Sequence, residues 1–119
     1  MEATRWRNKL KSQFKESVEW GDPCDFEVGL KSAEEVVEMD KNWIRTCDFL
    51  VVNMWKIGAG TCMEMFFANM IGKPILLLTK EEFVGYWLRH HSARVIFEED
   101  QLLKSVEDFI YLINQKAVL

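Results

Sequence analysis

Apolar side chains recur at helical spacing in four segments of this chain. In the first segment, Trp6, Leu10 and Phe14 lie four residues apart, which places them on one side of an amphipathic helix. Such an apolar stripe must be covered by another element, and a sheet would cover it. The four predicted helices span residues 4–18, 33–45, 62–71 and 101–115.

Two of these helices carry sequence signals for their ends. Ser32 followed by Glu35 has the spacing of a capping box, in which each side chain accepts a hydrogen bond from the backbone N–H of the other residue. Gly72 stands just past the predicted end of the third helix, where a left-handed backbone conformation commonly closes a helix. We therefore place these two boundaries from the sequence.

Continuous apolar runs between the helices predict buried strands. The three strongest runs are 48–54, 75–78 and 94–97, and 18–20 is a candidate fourth strand. Runs without polar alternation are typical of parallel strands that are covered on both faces. Residues 81–91 form an irregular or partly helical connection. We predict a single domain over 1–119, a three-layer flavodoxin-like (Rossmann-like) α/β sandwich with helices on both faces of a parallel sheet.

Composition and charge exclude several classes of protein. The 119 residues are 49% hydrophobic and carry a net charge of -4, which argues against disorder, a nucleic-acid partner and an anionic membrane surface. The three cysteines show no metal-ligand spacing, so we expect free thiols and no zinc. With no apolar run of about 20 residues, we expect a cytoplasmic protein.

A glycine-containing loop follows the first long strand and leads into the third helix. Open parallel sheets bind ligands beyond the carboxyl ends of their strands, which makes Gly58, Gly60 and Thr61 candidate binding residues. Glu64 falls in the predicted first turn of that helix, where the helix dipole favours an ionised, nucleophilic carboxylate. Thr61 and Glu64 also have capping-box spacing, so a purely structural role for Glu64 remains open.

A second carboxylate lies among apolar positions of the second helix. At about 100° per residue, Asp40 falls within the arc that contains Val36, Trp43 and Ile44. Burial of a carboxylate costs free energy or raises its pKa unless the group is paired. Asp40 is therefore either a candidate catalytic group or a structural residue held by a backbone or lysine partner.

Aromatic residues and histidines cluster before the last predicted strand. The aromatic residues Phe83, Tyr86 and Trp87 are either core residues, which we favour, or a surface on which a base stacks. His90 and His91 could supply a general acid or base, although neighbouring histidines in a polar loop are more often surface residues.

These motifs together resemble the nucleoside 2-deoxyribosyltransferase family and the related deoxynucleoside monophosphate N-glycosidases. The resemblance rests on Asp40 placed 24 residues before Glu64 and on the Gly60-Thr61-x-x-Glu64 element. Flanking fragments agree with it, and they are Ile44, Asp48 to Asn53, Ala68, Gly72 to Ile75, Trp6-Arg7, Asp22-Pro23 and Trp87-Leu88-x-x-His91.

The resemblance implies cleavage or transfer of the N-glycosidic bond of a 2-deoxynucleoside or its 5′-monophosphate. Glu64 would attack the anomeric carbon, and Asp40 would assist at the base or the sugar. The substrate-binding residues would be Gly58, Gly60, Thr61, Asn53, Trp87 and His91. No metal or organic cofactor is implied. A homodimer or higher homo-oligomer is expected, because family members build part of the site from a neighbouring subunit.

The sequence departs from the family pattern at two places. Gly58 occupies the position of a base-reading aspartate, and only residues 1–3 precede the first helix where the family has a strand. We therefore expect a sheet that lacks this first strand. Two alternatives stay open: a nucleotide-binding module of the same fold with weak or no catalysis, and a structural protein in which Glu64 only caps its helix.

Overall fold

The computed structural model describes residues 2–21, 29 and 31–118 of the chain. Within them, helices and strands alternate from residue 33 onward, as the sequence predicts. In chain order, the elements are α1 (Glu2–Gln13), α2 (Ala33–Thr46), β1 (Leu50–Met54), α3 (Ala59–Met70), β2 (Ile75–Thr79), a 3-10 turn (Glu81–Phe83), α4 (Tyr86–His91), β3 (Arg94–Ile96) and α5 (Glu99–Val118).

The three strands form one parallel sheet in the order β1-β2-β3. Val52 of β1 is in register with Leu77 of β2, which in turn is in register with Val95 of β3. Every residue of β2 is buried, because β2 is the central strand and helices cover both of its faces. Among the described residues, β1 and β3 each pair with a strand on one side only.

Side chains that alternate along the strands divide the core into two layers. On one face, Leu76 and Leu78 pack with Trp6 and Leu10 of α1 and with Val106 of α5. The predicted stripe of α1, which also includes Phe14, is buried in this layer.

The opposite face of the sheet packs against α2 and α3. Ile75 and Leu77 lie there with Ile44 of α2 and with Met65 and Ala68 of α3. The predicted three-layer α/β sandwich with a parallel sheet is therefore confirmed.

Both helix ends that the sequence marks are formed as predicted. The Ser32 hydroxyl accepts a hydrogen bond from the Glu35 backbone N–H, and the Glu35 carboxylate accepts one from the Ser32 N–H. Gly72 has a φ of 80°. Its N–H donates to the carbonyl of Asn69, and the N–H of Lys73 donates to that of Ala68, which is a Schellman closure.

Other boundaries differ from the prediction. The helix α1 ends at Gln13 and is followed by turns, because the Phe14 carbonyl accepts hydrogen bonds from the N–H groups of Ser17 and Val18. Residues 18–20 are irregular and form no strand. The helix α3 begins three residues earlier than predicted, and α5 extends further at both ends. The predicted turn 21–23 and loop 24–30 lie outside the described residues, apart from Gly21 and Gly29.

No helix in the described part of the chain is long and apolar enough to cross a membrane. Cys47 and Cys62 are free thiols, as predicted, whereas Cys24 lies outside the described residues.

Candidate functional site

The two carboxylates singled out in the sequence come together between α2 and α3. Asp40 lies in the second half of α2 and Glu64 in the second turn of α3, and both side chains are half-buried. Burial raises the pKa of Glu64, and the negative charge of Asp40 raises it further. Because this second effect requires proximity, the fold places the carboxylates close enough to interact.

The basic residues of α2 that lie nearby, Lys41 and Arg45, are engaged elsewhere. Both place their charge over the ring of Phe67, 5.4 Å from its centroid. They also form ion pairs with Glu38, at 3.9 and 3.8 Å. In the part of the chain that the structure describes, Asp40 and Glu64 are therefore two half-buried like charges without a salt bridge.

The capping role considered for Glu64 is wrong. The N-cap of α3 is Gly58, which makes no side-chain capping hydrogen bond. Thr61 is already inside the helix, so its backbone N–H is not the N-cap donor that a capping box would require. The local sequence motif therefore does not explain why a carboxylate stands at position 64.

The expected effect of the helix dipole on Glu64 is also corrected. Because α3 begins at Ala59, Glu64 lies beyond the first turn, where the favourable effect of the dipole on an anion has largely decayed. Loss of hydration then dominates, and the pKa of Glu64 rises above its ordinary value of 4.5. Glu64 thus retains its proton to a higher pH than a solvated glutamate.

The predicted glycine loop forms the start of α3. Gly58 is extended, with φ of -122° and ψ of 130°, and its carbonyl accepts the first helical hydrogen bond, at 3.1 Å from the N–H of Cys62. Residues Gly60 and Thr61 belong to the first turn, so the prediction that 58–61 form a loop before the helix is wrong. A Cβ on Gly60 would contact nothing within 4 Å, so packing does not require glycine there.

Asn53 lies at the carboxyl end of β1 on the other face of the sheet. Val51, two residues earlier, packs against the α1 and α5 layer, and side chains two apart share a face. The Oδ1 atom of Asn53 is buried and has no hydrogen-bond partner among the described residues. The fold therefore separates Asn53 from the carboxylate pair, and the predicted role of Asn53 in substrate binding stays a prediction.

Trp87 and His91 lie on the surface of α4. The rings stack at 5.9 Å with an interplanar angle of 16°, and the His91 ring also contacts Phe66 of α3 at 5.5 Å. Trp87 is 76% exposed and Tyr86 is 93% exposed. The core interpretation of this aromatic cluster is wrong for these two residues, because α4 turns Leu88 toward the core instead.

An open cleft of about 620 Å³ lies beyond the carboxyl ends of the strands. It is lined by Trp55, Thr79, Lys80, Glu81, Glu82 and Phe97. Thr79 fixes the two neighbouring strand ends, since its Oγ1 donates to the Met54 carbonyl at 2.9 Å. Lys80 places its ammonium group 5.1 Å from the ring centroid of Trp55 and 5.4 Å from that of Phe83.

The cleft residues were not assigned from the sequence, although a signal for them exists. Trp55, Lys80 and Phe97 each come directly after the last residue of a strand. In a parallel sheet all such positions meet at one edge. Asp40 and Glu64 line neither this cleft nor the groove of about 320 Å³ beside Trp43.

A scan against protein-family models and a search of curated proteins gave no match to this chain. Among the described residues, no group of three or more histidine, cysteine, aspartate and glutamate side chains could hold a metal ion.

Proposed function

We propose that this protein cleaves or transfers the N-glycosidic bond of a 2-deoxynucleoside or its 5′-monophosphate. The observation that carries the proposal is the half-buried pair of Asp40 and Glu64, in which the charge of one carboxylate raises the pKa of the other. Of two neighbouring carboxylates, one can attack the sugar carbon while the other stabilises the positive charge that develops there.

In the proposed reaction, the Glu64 carboxylate attacks C1′ of the sugar while the bond from C1′ to the base nitrogen breaks. The electron pair of that bond leaves with the base, which takes a proton from solvent, while the Asp40 carboxylate orients the sugar and stabilises the positive charge that develops at C1′. Water or a second base then attacks C1′, displaces Glu64 as a carboxylate and releases a proton to solvent. Partial desolvation of Glu64 favours this chemistry, because a less hydrated carboxylate is a better nucleophile.

The proposal is tested by incubating the protein with a panel of deoxynucleosides and their 5′-monophosphates and measuring free base by chromatography. Glu64→Gln should abolish base release, because the amide cannot form the covalent intermediate. Glu107→Gln, on the exposed side of α5, is the matched control and should leave the rate unchanged. Mass spectrometry of a stalled reaction should find the deoxyribosyl adduct on the peptide that contains Glu64.

A nucleotide-binding module is the second candidate function. The observation that favours it is the cleft beside Trp55 and Lys80, which lies at the usual ligand edge of a parallel sheet without the two carboxylates. Calorimetric binding of a nucleotide without base release, and with an affinity unaffected by Glu64→Gln, would support this candidate. Absence of both binding and base release would contradict both functions.

A further inference from the structure

The strand β1 has one edge without a partner strand. In the part of the chain that the structure describes, β1 pairs only with β2. The Leu50 N–H donates to the Pro74 carbonyl at 2.9 Å, so the backbone groups of Leu50 face β2. Because backbone groups alternate between the two edges of a strand, those of Val51 and Asn53 face away from β2.

Several polar groups near this edge are unpaired although they are partly buried. Among the described residues, none forms a hydrogen bond with the backbone of Val51 or Asn53, which leaves two N–H donors and two carbonyl acceptors. Every residue of β1 is nevertheless buried or half-buried. In the same described part of the chain, the Asn53 Oδ1 is a buried acceptor and the Trp20 Nε1 a buried donor, both without partners. Since buried polar groups in folded proteins are nearly all hydrogen-bonded, this concentration indicates a binding partner.

The strand β1 also lacks the features by which sheet edges normally prevent further pairing. Edge strands are usually very short, or they carry charged residues, proline or a bulge. The opposite edge of the sheet follows this rule, since β3 has three residues and its Arg94 forms an ion pair with Asp108 at 2.9 Å. In contrast, β1 has five residues, none of them charged or proline, and its register with β2 has no bulge.

We propose that the free edge of β1 binds an extended peptide segment of another protein by strand addition. An extended polypeptide presents N–H and C=O groups at the two-residue spacing of the unpaired groups on Val51 and Asn53. The segment carries apolar, uncharged side chains, because Val51 and Val52 pack into the apolar layers on the two faces of the sheet.

The covering of β1 favours a single segment over a second copy of this chain. Helix layers lie on both faces of β1, where they contact Val51 and Val52. A single segment needs only the width of one strand beside β1, about 4.8 Å. A second folded copy would also bring the helix layers that cover its own β1.

Binding of a synthetic peptide tests this inference, which does not depend on the proposed enzymatic activity. The probe is a fluorescent peptide of alternating valine and threonine residues with lysines at both ends, and its binding is followed by anisotropy. A version that is N-methylated at alternate backbone nitrogens keeps one edge able to pair and should bind. The same peptide N-methylated at every nitrogen has no backbone donors, and its Kd should be at least about tenfold higher.

Hydrogen exchange of single amides locates the contact. In the free protein, the amides of Val51 and Asn53 should exchange much faster than the amide of Val52, which faces β2. Saturating peptide should slow exchange at Val51 and Asn53 by at least about tenfold and leave Val52 unchanged. If both amides are already protected in the free protein, another segment of the chain covers the edge, and if their protection grows with protein concentration, a second copy does. Either result overturns the proposal.

A proline variant tests the edge from the side of the protein. Val51→Pro removes an N–H that faces away from β2, and edge strands tolerate proline at such positions. This variant should raise the Kd of the peptide at least about tenfold, whereas the matched control Val51→Ala, which keeps the N–H, should stay within about threefold of the wild type. Circular dichroism checks that both variants fold.

The methylated peptides decide the question on the wild-type protein even if Val51→Pro does not fold. The proposal is overturned if the wild-type protein binds no peptide at a concentration of about 1 mM. It is also overturned if the fully methylated peptide binds as tightly as the alternately methylated one.

Discussion

Repulsion between Asp40 and Glu64 makes a quantitative prediction about stability. Two unit charges about 4 Å apart repel by about 1 kcal/mol in water and by about 4 kcal/mol near a protein surface. Because both side chains are partly accessible, solvent screening favours the lower value. At neutral pH, Asp40→Asn should therefore increase the free energy of unfolding by about 1 kcal/mol.

Glu64→Gln should stabilise the protein at least as much, because it removes the desolvation cost of the carboxylate together with the repulsion. The double variant should gain no more than Glu64→Gln alone, since a neutral amide at position 64 leaves Asp40 with no charge to repel it. The interaction energy of this double-mutant cycle is then about 1 kcal/mol. In urea unfolding, with a typical slope of about 2 kcal/mol per molar, each single change moves the midpoint by about 0.5 M.

The sign of the pH dependence follows from the raised pKa of Glu64. The unfolded chain loses this proton near the ordinary pKa of 4.5, whereas the folded protein loses it at a higher pH. Between these two values the folded state binds more protons, so rising pH lowers its stability. The gain in the free energy of unfolding from Glu64→Gln should therefore grow as pH rises through this window, and it should disappear below the window.

Salt and a surface variant provide the controls for this cycle. The interaction energy should fall in about 1 M salt, where the screening length is about 3 Å, and Glu107→Gln on the exposed side of α5 should change stability by less than about 0.5 kcal/mol. If the effects of Asp40→Asn and Glu64→Gln add to within about 0.3 kcal/mol, the carboxylates do not interact and the proposed catalytic pair is refuted.

Three further predictions concern single residues. Asn53→Leu removes a buried acceptor without a partner among the described residues. The free energy of unfolding measured in urea should stay unchanged or rise by up to about 1 kcal/mol. A clear loss of stability would mean that the Asn53 side chain has a hydrogen-bond partner. Gly72→Ala should cost about 1–2 kcal/mol in thermal unfolding, because the backbone has φ of 80° while a Cβ there meets nothing within 4 Å; no loss would exclude the left-handed closure. Hydrogen bonds from Arg94 and Lys104 lower the pKa of Asp108 below its ordinary value of 3.8. The stability that these hydrogen bonds give the folded protein is therefore lost as pH falls below that value. Asp108→Asn should therefore flatten acid unfolding, and an unchanged acid transition would contradict the cluster.

The sequence was most informative where structure depends on neighbouring residues. The Ser32–Glu35 capping box and the Gly72 closure were placed correctly, because each is formed by hydrogen bonds within a few residues. The apolar runs of β1 and β2 were also identified, since a strand covered on both faces requires apolar side chains throughout.

The sequence was misleading where one motif permits two local structures. The Thr61-x-x-Glu64 spacing allowed a capping box, but α3 begins at Ala59 because Gly58 takes the N-cap position. Likewise, Tyr86 and Trp87 looked like core residues, yet they lie exposed on α4. Neither outcome is encoded in a short window of sequence.

The sequence by itself determined the order of helices and strands, the parallel sheet with helices on both faces, and the two candidate carboxylates. Only the tertiary structure decided that Asp40 and Glu64 share one environment, because packing of α2 against α3 joins residues that are far apart along the chain. It also decided that the row of Met63, Phe66 and Met70 is exposed, because α3 can turn only one side toward the sheet.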